Sequence, residues 1–196
     1  MKCWILITLS TLLTLTASYG QSSGFVEDFT LLNVVTDQQF SLKEYDDAST
    51  VVVIFTSLYC PYAQLYESRI DRLIQDFQDG DTRFILINPT NPNKNQKDSM
   101  ENMVRMAQIN QLSVPFLVDS QQRVARMLGA SKTPEAFVLA RQDKSYKIVY
   151  RGAIDDNPQV VNDVRHQYLR DFLKVAEAGK TYSLRSIPAT GCMIKQ

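Results

Sequence analysis

Val51-Val52-Val53-Ile54-Phe55 is the segment that most narrows what this chain can become: five apolar residues in succession, four of them β-branched, with no polar residue between them. A strand with one wet face alternates apolar and polar positions. A strand without alternation has to be covered on both faces, which places it inside a sheet that carries helices on either side. The segments that follow meet this demand. Tyr66, Ile70, Leu73, Ile74 and Phe77 recur at helical spacing, so a helix runs from Cys60-Pro61 to about Gln78 and stops before Gly80. Phe84 to Ile87 is a second buried strand, and residues 88–99 form a polar loop containing Pro89 and Pro92.

The rest of the chain continues the alternation. Met100 to Gln111 is helical in composition, and Val114 to Val118 is a third strand interrupted by Pro115. Ser120 to Leu128 makes a short helix closed by Gly129. Ala136 to Ala140 and Tyr146 to Arg151 make an antiparallel hairpin. A last helix opens at Pro158, turns Val160, Val164, Tyr168, Phe172 and Val175 inward, carries His166, and ends before Gly179. Upstream, Phe29 to Val35 and Phe40 to Leu42 flank a turn and make a small hairpin. Strands separated by helices, finishing in a hairpin and a helix, predict an α/β fold with a central mixed sheet flanked by helices. One domain over residues 21–196, with an extension from about residue 180, accommodates all of this without an internal repeat or a linker.

Residues 1–20 are read apart from that domain. Lys2 precedes a short apolar run that ends in small residues at Ser18 and Gly20, the pattern of a secretory signal peptide cleaved after Gly20. A secreted or periplasmic location is therefore expected. Of three cysteines, Cys3 leaves with the peptide, and Cys60 and Cys192 enter an oxidising setting. The 21 basic and 21 acidic residues balance, so nothing electrostatic points to nucleic acid or to a membrane surface as partner once the signal is removed. A single histidine, His166, supports neither a histidine metal cluster nor a Ser-His-Asp triad, and no cofactor or metal is required.

Cys60 is the candidate centre of chemistry. It sits between a buried strand and a helix whose first position is Pro61, where the missing N–H costs nothing. A thiol there faces unpaired backbone N–H groups and the positive end of the helix dipole, and both favour the reactive thiolate. The competing reading is an inert buried cysteine packed as a small apolar residue.

Several motifs in order carry a resemblance. Asp28-Phe29-Thr30-Leu31, Phe40 to Tyr45, the Val51–Phe55 strand and Tyr59-Cys60-Pro61 resemble the opening of thioredoxin-like redoxins, the group spanning TlpA/ResA-type proteins and AhpC/TSA peroxiredoxins. Cys60-Pro61-Tyr62, Thr133-Pro134-Glu135-Ala136-Phe137, Tyr150 to Asp156 and Gly191-Cys192-Met193-Ile194-Lys195 are similar to a peroxiredoxin-like subfamily of that fold. The resemblance covers roughly residues 25–196. It implies a cis Thr133–Pro134 bond facing Cys60, and a substrate surface made by Tyr59, Pro61, Tyr62, Thr133 and Pro134, with backbone groups beside Cys60 left free for a substrate peptide. Three positions depart from the pattern. Ala63 stands where Cys-x-x-Cys has its second thiol, Ile54 where thioredoxins carry an Asp, and Val53 where peroxiredoxins carry a proline. Ser57 stands three residues before Cys60, where a peroxiredoxin hydroxyl bonds the thiolate.

Cys192 then has three readings: a resolving thiol that attacks oxidised Cys60, a static disulfide, or an unpaired or intermolecular thiol. Arg126 and Arg151 are candidate partners of the thiolate, with a solvated surface role as the alternative. Asp155-Asp156 shape the turn after Gly152 or hold a cation, and the 88–98 loop is either a lip beside the site or a plain solvated loop. The activity this implies is thiol–disulfide exchange through Cys60 on an oxidised protein or a small thiol or disulfide. The alternatives are hydroperoxide reduction and a redox-inactive binding module.

Overall fold

The structure, a computed structural model, describes residues 24–93, 95–180 and 183–195, so the signal-type segment 1–20 lies outside the described residues. In chain order the strands and helices are β1 (Phe25–Val26), β2 (Thr30–Asn33), β3 (Gln38–Ser41), β4 (Thr50–Phe55), α1 (Pro61–Phe77), β5 (Thr82–Asn88), α2 (Met100–Ile109), β6 (Phe116–Val118), α3 (Arg123–Leu128), β7 (Lys132–Thr133), β8 (Glu135–Gln142), β9 (Ser145–Gly152), α4 (Tyr168–Glu177), β10 (Arg185–Ile187) and β11 (Cys192–Met193). The unalternating strand β4 is central, parallel to β5 on one side and antiparallel to β8 on the other. The large sheet runs β1-β9-β8-β4-β5-β6-β2-β3, with β10 added parallel to β9, while β11 and β7 form a separate antiparallel pair. This is the mixed-sheet α/β architecture expected.

The reason β4 is apolar throughout is visible in what each side chain meets. Val52 and Ile54 enter the core lined by α1, α2 and α4, with Tyr66, Ile70, Met103, Leu169 and Phe172. Val51, Val53 and Phe55 enter the opposite core, built from Val124 and Leu128 of α3 and from Phe29, Leu31 and Phe40 of the first hairpin. Each such side chain, fully withdrawn from water, contributes about 1.5–3 kcal/mol. The strand is thereby fixed from both faces, and so is its C-terminal end, where the loop to Cys60 begins. Among the described residues no helix is long and apolar enough to cross a membrane.

Three element boundaries differ from the sequence reading, each for a local reason. The last helix starts at Tyr168 rather than Pro158, leaving Val160 exposed, and Val175 within it is exposed too. Residues 155–167 are held in turns by side chains that capture backbone N–H groups. Asp156 Oδ1 accepts from Arg165 N and His166 N, and Asn157 Oδ1 accepts from Gln159 N and Val160 N. Such bonds compete directly with the helix. His166 therefore lies ahead of α4, exposed and stacked on the Tyr168 ring. The short third helix begins at Arg123, because Asp119 caps it by accepting from Arg123 N and Ala125 N, both at 2.8 Å. The strand expected from Val114 begins at Phe116; Pro115 has no N–H to give, yet its carbonyl accepts from Leu86 N at 2.9 Å.

Candidate active site

Cys60 is the N-cap of α1, and Pro61 is its first residue. The strand-to-helix loop that delivers it is held by a buried carboxylate. Asp98, in a 3-10 turn at Gln96–Asp98, accepts from Leu58 N at 2.7 Å, from Ser57 Oγ at 3.0 Å, and from Asn88 Nδ2 at 2.8 Å. The side chain is wholly shielded from water, and three donors satisfy its charge. Ser57 is thereby spoken for: its hydroxyl donates to Asp98 and accepts from Tyr59 N, rather than bonding the sulfur of Cys60. In this disulfide form of Cys60 the Ser57 hydroxyl is engaged by Asp98, the stronger acceptor within reach.

Cys60 is disulfide-bonded to Cys192, with 5.8 Å between Cα atoms across 132 residues of sequence. What brings Cys192 there is backbone pairing. β11 lies antiparallel to β7 with Cys192 opposite Thr133 and Met193 opposite Lys132, and Ile194 N donates to Ser131 O at 2.9 Å. Lys132 Nζ donates to Ala189 O and Gln122 Nε2 to Lys195 O, fastening the segment on both sides of the cysteine. Gly191 is required by this approach: a Cβ there would run into the Thr133 carbonyl. The Thr133–Pro134 bond is cis, and Thr133 O lies 3.0 Å from Cys60 Sγ. The corner is stiffened from behind by buried Glu135, whose Oε2 accepts from Ser131 N and Lys132 N.

The backbone edge expected to stand free for a substrate peptide is thus occupied by the chain's own residues 192–194. Beside it opens a cleft of about 720 Å³, lined by Tyr59, Cys60, Thr133 and Cys192, by Pro89, Thr90, Asn91 and Asn95 of the polar loop, and by Gln121, Gln122 and Arg126 at α3. The loop is therefore a lip of the site. Tyr59 is 51% exposed, with Lys97 Nζ 5.6 Å from its ring centre. Pro61 is exposed at the start of α1, and Tyr62, half-buried, does not line the cleft. Pro134 is buried and borders a separate small cavity with Tyr66 and Ile154. Arg151 is outside the cleft, donating to Ser186 Oγ on β10.

Asp155, read as a turn former or a cation ligand, does form a turn, accepting from Asn157 N at 3.1 Å, and is a buried partner as well. Arg69 Nη1 reaches Asp155 Oδ2 at 2.8 Å, and the Tyr66 hydroxyl donates to Oδ1 at 2.6 Å. Burial, then this hydrogen bond, pushes the Tyr66 hydroxyl well above the ordinary phenol range. Among the described residues, no group of three His, Cys, Asp or Glu side chains is placed to hold a metal ion. Asp98 and Asn88 escaped the sequence reading as site residues, and Gly191 entered it with no role of its own. Only Gly191 carried a signal, as the glycine within the Gly-Cys-x-Ile-Lys motif.

Comparison with known proteins agrees with this fold. A crystal structure of an uncharacterized conserved protein from Geobacillus kaustophilus superimposes with a TM-score of 0.79 at 27% identity, covering 88% of this chain and 90% of that one. A hypothetical protein from Sinorhizobium meliloti 1021 gives 0.77 at 27% identity, over 87% of this chain and 92% of the other. A thiol-disulfide oxidoreductase from Bacteroides fragilis shares the fold at 15% identity, with a TM-score of 0.58 over 78% of this chain and 98% of its own. No curated protein sequence matches the chain. The fold is thioredoxin-like, and the model of the AhpC/TSA family matches residues 25–154, from β1 through the turn after β9; the chain belongs to the AhpC/TSA family.

Proposed function

We propose that this protein is an exported thiol–disulfide oxidoreductase in which Cys60 is the nucleophile and Cys192, carried on β11, is the resolving thiol. The observation that carries the reading is the placement of Cys192. A cysteine 132 residues away is held by strand pairing against Thr133, so that it reaches the helix-capping sulfur of Cys60 where Ala63 cannot. The cycle balances. The Cys60 thiolate attacks one sulfur of an oxidised substrate R–S–S–R, forming Cys60–S–S–R and releasing RS⁻. The Cys192 thiolate then attacks Cys60 Sγ, releasing the second RS⁻ and leaving the Cys60–Cys192 disulfide. Two electrons pass from the protein dithiol to the substrate. A Cys60 sulfur at a helix N-terminus is a good leaving group in later exchange. Export is supported by the pattern of residues 1–20, which would deliver both thiols to a compartment where disulfides persist.

The test uses reduced protein lacking residues 1–20, mixed in parallel with a small disulfide and with equimolar hydrogen peroxide, with products mapped by peptide mass spectrometry. Passage through a Cys60 mixed disulfide to the Cys60–Cys192 bond, with accumulation of the mixed disulfide in Cys192→Ser, is the expected result. Loss of Cys60 thiol to peroxide far faster than to the disulfide would replace the reading with a peroxidase. No reaction with either, beyond the rate of free cysteine, would leave a static disulfide in a binding module.

A further inference from the structure

The cleft beside the disulfide differs in charge from the molecule around it. The chain as a whole balances 21 basic against 21 acidic residues, yet the described residues lining the cleft include Arg126 and Lys195 and not one Asp or Glu. Lys97 adds a third positive charge at the rim, over Tyr59. The three acidic side chains nearest in sequence to the lining are turned inward and used: Asp98 beneath the Cys60 loop, Asp119 at the start of α3, and Glu135 behind the Thr133 corner. Arg126 is exposed on α3 and makes no ion pair among the described residues, whereas Arg69, Arg105, Arg141 and Arg170 each do. The remaining lining is neutral and rich in amide and hydroxyl groups, from Thr90, Asn91, Asn95 and Gln121. A cleft of about 720 Å³ is within the size range of small-molecule sites.

The second observation concerns the route of approach. Substrate polypeptide could engage backbone groups only at a free edge, but β11 fills this edge of β7, and Gly191 seals its contact with Thr133. What remains open to the two sulfurs is the cleft. Resting on the thiol-exchange reading, we propose that the substrate is a small anionic disulfide, bearing carboxylates that pair with Arg126 and Lys195 while its sulfur meets Cys60. Positive charge in a cleft with low-dielectric walls raises the local concentration of an anion and speeds its capture, and the effect fades with salt.

The experiment compares three disulfides of different charge on the reduced wild-type protein: glutathione disulfide (anionic), 2-hydroxyethyl disulfide (neutral) and cystamine (cationic). Each second-order rate is divided by the rate of the same disulfide with free 2-mercaptoethanol, which removes differences in intrinsic reactivity. The normalised rate for glutathione disulfide should exceed that for cystamine by about tenfold at low ionic strength. The ratio should contract as salt rises. Arg126→Ala should lower the glutathione disulfide rate more than the 2-hydroxyethyl disulfide rate, narrowing the ratio several-fold. Equal normalised rates, a preference for cystamine, or a ratio indifferent to salt and to Arg126→Ala would overturn the charge assignment while leaving thiol exchange standing. Failure with all three disulfides would overturn the exchange reading and this inference together.

Discussion

Asp98 shows how one side chain sets the position of another it never touches. Its carboxylate gathers Ser57, Leu58 and Asn88, and so fixes the loop from the end of β4 to Cys60. Removing the acceptor leaves buried donors unpaired, each costing about 1–3 kcal/mol. Asp98→Ala is therefore expected to destabilise the protein by about 3 kcal/mol or more, seen as a lower midpoint in thermal or urea unfolding. Because the loop also aims Cys60, disulfide exchange should slow in the fraction that remains folded. An unchanged midpoint would mean that the loop is held by its other contacts. Little of this could be read from the sequence. Asp98 sits in a run of Asn, Pro, Lys and Gln that resembles any solvated loop, and its partners Ser57 and Leu58 are 41 and 40 positions away. Cys60 was legible for the opposite reason: strand, cysteine, proline and helix are consecutive, and the physics of a helix N-terminus is local.

At the scale of elements, periodicity served where the core decides and failed where side chains capture the backbone. α1 ends within one residue of its expected end, since Tyr66, Ile70, Leu73, Ile74 and Phe77 all enter one core. The start of α4 was misplaced, since Val160 and Val164 match a helical spacing that the Asp156 and Asn157 turns prevent. The half-buried flank of α1 that carries Glu67 and Asp71 has its own liability. Burial, and then the neighbouring charge of Asp71, raises the Glu67 carboxyl above its ordinary value, and burial does the same for Asp71. For a carboxyl raised on folding, the unfolded chain gives up its proton first. Stability therefore falls as pH climbs from the unfolded carboxylate range through the raised folded value, and stays lower above it. Glu67→Gln removes one member of this like-charged i,i+4 pair. The variant should melt about 1–2 °C higher at neutral pH, with the gain fading toward pH 3, where the wild-type carboxyl is protonated in both states. A gain independent of pH would assign the effect to helix propensity instead.

At the scale of the whole molecule, the disulfide joins the loop after the central strand β4 to the C-terminal strand β11 without being part of either core. The cores on both faces of the sheet are built from residues between Val26 and Leu173, and among the described residues beyond Ile187 only Ile194 packs against one of these clusters. The secondary structure should therefore survive reduction. What reduction changes is the unfolded chain, which regains the freedom lost by closing a loop of 132 residues. The chain-entropy estimate for a loop of that length is about 5 kcal/mol, and measured disulfides commonly deliver about 2–4 kcal/mol. Reduced wild-type protein is thus expected to keep its far-ultraviolet circular dichroism at 25 °C and to melt cooperatively about 10 °C below the oxidised form. Cys192→Ser should match the reduced protein in midpoint, since it lacks the same cross-link. These outcomes bear on function as well as stability: a resolving thiol must be held beside Cys60 by β11 pairing before any bond forms. If reduction instead unfolded the protein, the cross-link would be a structural staple, and no reduced, folded dithiol would exist to enter the exchange cycle.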